Sequence, residues 1–118
     1  MRGFTLVELL VALAIVAVAL LAGLRAVGAM ARTSAELELR MLAQVAAENR
    51  IAEMRAAHAF PAVGTRTAAC PQGRVVFECV EETKATPNPF FRRIEVRVHA
   101  AAERDVILAE LIGILARQ

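Results

Sequence analysis

Residues 1–30 read MRGFTLVELLVALAIVAVALLAGLRAVGAM. From Phe4 to Leu24 there is one charged side chain, Glu8. As a helix this run is about 31 Å long, close to the thickness of a bilayer's hydrocarbon core. Leu9–Leu24, the uncharged part alone, is slightly short of a span, so crossing requires Glu8 to be tolerated near one membrane face. A carboxylate within a membrane helix costs about 2.5–3.5 kcal/mol on insertion scales, and such groups usually serve a function through a partner. A secretory signal peptide, with Arg2 as its basic end and small residues near Ala26–Ala29 for cleavage, does not account for the length or for Glu8. A plain signal anchor accounts for the length only.

The chain around this run is short and nearly neutral. It has 118 residues, enough for one domain, and a net charge of +2 from 14 basic and 12 acidic side chains. That balance argues against a nucleic-acid partner. Neither Trp nor Tyr is present, so a stacking surface is not expected. Hydrophobic residues make up 58% and mean hydropathy is +0.51, both high for a soluble domain and incompatible with disorder. Residues 1–24 hold 19 of these hydrophobic residues, so much of the excess lies in the N-terminal run.

A carboxylate at the fifth position counted from Phe4, after Gly3 and at the head of an apolar helix, resembles the N-terminal signal of type IV pilins and pseudopilins. The motif is Gly3-Phe4-Thr5-Leu6-Val7-Glu8. The resemblance implies cleavage between Gly3 and Phe4 by a prepilin peptidase and N-methylation of Phe4. It makes Glu8 the assembly carboxylate, with the new Phe4 ammonium of a neighbouring subunit as its partner. Residues 1–3 are then the leader, short for the family, which leaves room for an upstream start codon. Residues 4–24 are the transmembrane and filament-core helix. The family topology keeps the leader cytoplasmic, although Arg25, Arg32 and Arg40 beyond the helix oppose the positive-inside rule.

Residues 25–59 continue as helix. No Pro occurs before Pro61, and Ala, Leu, Glu, Arg and Met are strong helix formers. Two apolar stripes run along this part, one through Leu37, Met41 and Val45 with Glu48 and Ala52, the other through Leu39, Leu42 and Ala46. One stripe would cover a globular head and the other neighbouring helices. Phe60-Pro61-Ala62-Val63-Gly64 ends the helix. Residues 65–74 read as loop and Arg74–Val80 as strand. Glu81–Pro89 reads as a connection, and Arg93–His99, alternating apolar and charged, as a half-buried strand. Ala100–Asp105 reads as a turn. Val106–Leu115 favours strand through its β-branched residues. The fold class is therefore α+β and pilin-like, a long helix packed on a small antiparallel β-sheet head at 60–118.

The second half narrows the resemblance. Ala47-Glu48-Asn49-Arg50-Ile51-Ala52-Glu53-Met54-Arg55, Phe60-Pro61-Ala62-Val63-Gly64, and Thr86-Pro87-Asn88-Pro89 leading to Arg92-Arg93-Ile94-Glu95-Val96-Arg97-Val98 are similar to the minor pseudopilin I subunit of type II secretion. Where that family tends to carry Trp, this chain has Phe60 and Phe77. The resemblance implies a non-enzymatic subunit of a pseudopilus tip, without cofactors, that helps initiate assembly for export of folded proteins. It would sit in the bacterial inner membrane as a single-pass protein with a periplasmic head. Its partners would be minor pseudopilins J and K, the major pseudopilin, the prepilin peptidase and the inner-membrane assembly platform. The competing reading is a minor type IV pilin for adhesion, motility or DNA uptake. The basic group Arg92, Arg93 and Arg97 that DNA uptake would use is offset by Glu95.

Sites of chemistry are few. Cys70 and Cys79 are the only cysteines. In an oxidising compartment they could form a disulfide, and otherwise they are two buried thiols. His58 and His99 lack ligand-spaced partners, which argues against a metal site. Nothing positions Cys79 and His99 as a catalytic pair. Glu78, Glu81 and Glu82 fit a solvated strand edge better than a cation site.

Overall fold

A computed structural model describes residues 3–118; Met1 and Arg2, the remainder of the expected leader, lie outside the described residues. One helix, α1 (Leu6–Ala56), precedes four strands: β1 (Gly64–Ala69), β2 (Phe77–Ala85), β3 (Phe91–Ala100) and β4 (Glu103–Ala116). The strands form one antiparallel sheet in the order β1-β2-β3-β4. The chain is an α+β, pilin-like arrangement. It divides into two compact units, residues up to Glu36 and residues Leu37–Gln118. From Leu6 onward the first is helix, exposed at every described position except the half-buried Gly28. The second contains the last turns of α1 and the whole sheet.

Alanine decides how α1 meets the sheet. Ala43, Ala46 and Ala47, at most 3% exposed, are followed by Ile51 and Met54 along the buried stripe. Small side chains let the helix axis lie close over Phe77 and Cys79 of β2, Ile94, Val96 and Val98 of β3, and Leu115 of β4. Gly113 of β4 takes this further. A Cβ there would lie 3.1 Å from Ile51 Cδ1 and 3.2 Å from its Cγ2, tighter than ordinary contact.

Element boundaries differ from the sequence expectations at four places. The helix stops at Ala56, not Ala59, because His58 adopts φ 51°. The His58 N–H donates to Arg55 O at 3.1 Å and the Ala59 N–H to Met54 O at 2.9 Å, the paired bonds of a Schellman cap. The segment expected as loop contains β1, whose Gly-Thr-Arg-Thr sequence is almost wholly exposed and shows no apolar alternation. The segment expected as a connection contains the second half of β2, through Ala85. The turn expected at 100–105 shrinks to residues 101 and 102, with a register shift at Val98–Ala100 against β4. At β1, at the second half of β2 and around the shortened turn, charged or small residues hid strand that backbone pairing maintains.

Candidate functional site

The N-terminal motif forms a capping box. Glu8 N–H donates to Thr5 Oγ1 at 3.1 Å, and Thr5 N–H donates to Glu8 Oε2 at 3.4 Å. Two otherwise orphaned helix-end donors are thereby satisfied reciprocally. The carboxylate also sits in the first turn, where the helix dipole favours negative charge. Phe4 precedes this box and is 88% exposed. The cap had a sequence signal, Thr-x-x-Glu ahead of an apolar run, beside the one that singled out Glu8.

In the second unit, one of the two helix stripes is used by the sheet and the other is not. Leu39 and Leu42 pack against the buried core with Ala46. Leu37, Met41 and Val45 remain 56%, 69% and 40% exposed, and Glu48 and Ala52 on that side are also exposed. This leaves an apolar helix face that the sheet does not cover.

The carboxylates of β2 are paired with cations, which corrects the expectation of a solvated strand edge. β2 is an interior strand between β1 and β3. Glu81, 5% exposed, faces α1 and joins Arg50 Nε of the helix and Arg66 of β1. That hydrogen bond is the main reason the Arg50 guanidinium is held above its ordinary pKa. Glu78 and Glu82 point to the opposite face. Glu78 meets Arg104 at 3.4 Å, and Glu82 meets Arg97 at 2.8 Å. Glu95 at the centre of that face meets Lys84, Arg93 and Arg97 within 3.2–3.4 Å. Its hydrogen bond with Lys84 is the first cause holding its carboxyl below the usual range. Among the described residues no group of three His, Cys, Asp or Glu could hold a metal ion.

Comparison with known families then addresses the two parts separately. The family profile described as type II secretion system (T2SS), protein I, matches residues 37–116. The chain belongs to the type II secretion protein I family. A second profile, the prokaryotic N-terminal methylation motif, matches residues 1–24. No individual curated protein matches the chain. This minor pseudopilin is thus a type IV pilin-like subunit of a secretion system, and the match favours secretion over the minor-pilin reading. Membership implies association with other pseudopilus components and with the secretion machinery. The methylation motif and one long apolar N-terminal helix fit an N-anchored, single-pass membrane protein.

The aromatic residues Phe60 and Phe77 have different surroundings. Phe77 is fully buried in the core. Phe60, after the helix end, lies under the Arg92 guanidinium at 4.5 Å and near that of Arg117 at 5.8 Å, a cation–π arrangement. The pseudopilin's cysteines are bonded to each other: Cys70, just after β1, joins Cys79 of β2 with Cα atoms 5.8 Å apart. Cys79 therefore offers no thiol to His99. The turn between them is closed by Gln72 and Val75, with Gly73 at φ 60°. Replacing both cysteines by Ala should lower unfolding free energy by roughly 2–3 kcal/mol, from the entropy of closing a short loop. Chemical denaturation of the oxidised protein and the double variant measures it, and equal midpoints would contradict it.

Proposed function

We propose that this minor pseudopilin is a non-catalytic subunit of the pseudopilus tip, processed at its N-terminus and assembled laterally from the bacterial inner membrane. The observation that carries the reading is one chain bearing both the methylation motif on residues 1–24 and protein I on residues 37–116. Prepilin peptidase removes residues 1–3, cutting between Gly3 and Phe4, and Phe4 is N-methylated. Residues 4–24 hold the subunit in the membrane until assembly, and the head stands in the periplasm. An oxidising periplasm agrees with the Cys70–Cys79 bond. Glu8 pairs with the Phe4 ammonium of an adjacent subunit at the same depth. The exposed stripe Leu37, Met41 and Val45 packs on helices of minor pseudopilins J and K. The tip complex then initiates assembly of the major pseudopilin on the inner-membrane platform, for export of folded proteins.

Processing is tested by mass spectrometry of the mature N-terminus. The expected peptide begins with N-methylated Phe4. A mature chain starting near Met30 would instead make residues 1–29 a secretory signal and overturn the pathway.

A further inference from the structure

Between Glu8 and Glu36 the chain carries two charged side chains, and both are arginines, Arg25 and Arg32. Both are exposed, and among the described residues neither has an ion-pair or hydrogen-bond partner. They are seven residues apart, two helical turns or about 10 Å, and so share a face of α1. Gly28 lies between them on that face, and a Cβ there would meet nothing within 4 Å. Arg25, Gly28, Ala29 and Arg32, with Leu21 and Leu24 below, outline a shallow hollow of about 420 Å³.

The position of this hollow relates it to a bilayer. The apolar run ends at Leu24, so Arg25 begins where hydrocarbon gives way to headgroups, a layer several ångströms thick. Side chains on a helix tilt toward its N-terminus, which aims Arg32 back toward the same layer. Long basic side chains near a span's end bury their stems and present the charge at the interface. A guanidinium matches a phosphate with two parallel hydrogen bonds. A second one on the same face selects for net negative charge and against a headgroup that carries its own cation.

We propose that this face of α1 is a binding site for an anionic phospholipid, with Arg25 and Arg32 on the headgroup phosphate and Leu21 and Leu24 along the first acyl carbons. It rests on reading residues 4–24 as the membrane span. The contact belongs to the membrane-held subunit, since a subunit that leaves the bilayer leaves the lipid.

The full chain, purified in detergent, is offered equal amounts of phosphatidylglycerol and phosphatidylcholine, and retained lipid is counted by native mass spectrometry. Phosphatidylglycerol should be preferred, with about fivefold of the preference lost for each arginine replaced in Arg25→Gln and Arg32→Gln. Arg25→Lys with Arg32→Lys should keep part of it, and Arg74→Gln, on an exposed loop, all of it. Equal retention of the two lipids, or a preference unchanged in the double Gln variant, overturns the site. Loss of the preference in excess inorganic phosphate makes it a free-anion site and overturns the lipid assignment. Flotation with vesicles separates the two levels. Failure to float removes the span itself, whereas flotation without lipid preference removes only this inference.

Discussion

Glu8→Ala is expected to enter the membrane normally and to be missing from assembled pseudopili, with secretion lost. Insertion should be unharmed or slightly improved, because the substitution removes the one charge from the apolar run. On the proposed pairing, assembly should suffer because a charge costing about 2.5–3.5 kcal/mol in a membrane helix would be relieved only beside a neighbour's Phe4 ammonium. Loss of that difference corresponds to a drop of roughly a hundredfold in incorporation. Recovery of subunit in sheared pseudopili, beside its level in the membrane, measures both. Alanine also deletes the capping box with Thr5, and that defect alone could weaken the first helical turn.

Glu8→Gln resolves the ambiguity. Glutamine is an accepted capping-box partner but carries no charge. If intersubunit charge pairing is the role, Gln fails as Ala does. If Gln assembles normally, the cap was the function and the proposed pairing is wrong. Thr5→Ala alone, which weakens the cap and keeps the Glu8 charge, should by contrast leave most assembly intact.

The second large effect is on the head. Phe77→Ala should lower unfolding free energy by about 3–5 kcal/mol, as large-to-small substitutions at buried aromatic positions do. Phe77 is 0% exposed and packs among Cys79, Val96, Val98 and the alanines of α1. Those alanines have no side-chain length with which to fill the void, so the cavity persists. For a unit of residues 37–118, total stability is of the order of 4–12 kcal/mol, and this loss would bring it near unfolding. Thermal or urea unfolding followed by circular dichroism should show it, with Phe77→Leu clearly milder. A loss under about 1 kcal/mol would mean that the core is not closed around Phe77.

Much of the architecture was legible in residue order because it arises from local periodicity. The long helix follows from an unbroken run of helix formers with no Pro before Pro61. The strand at 91–100 follows from Ile94, Val96 and Val98 alternating with charges. β1 and the end of β2 were not legible, because Thr65, Arg66, Thr67, Glu81, Thr83 and Lys84 carry no apolar alternation. Their strands persist through backbone pairing, Gly64 opposite Thr83 and Arg66 opposite Glu81. The helix ends three residues before Ala59 because His58 takes the left-handed cap that Gly usually supplies, and a histidine carries no signal for it.

The sequence alone therefore determined the family, the α+β class, the apolar N-terminal run and the exceptional carboxylate at Glu8. These are properties of neighbours along the chain, where spacing and composition carry the physics. Only the tertiary structure decided which of two apolar helix stripes meets the sheet. It also turned Glu81 inward onto Arg50 and Arg66 and left Leu37, Met41 and Val45 uncovered. Periodicity shows that a face must be buried. What buries it depends on close approach, here granted by Ala43, Ala46, Ala47 and Gly113, and that is set only when helix and sheet come together.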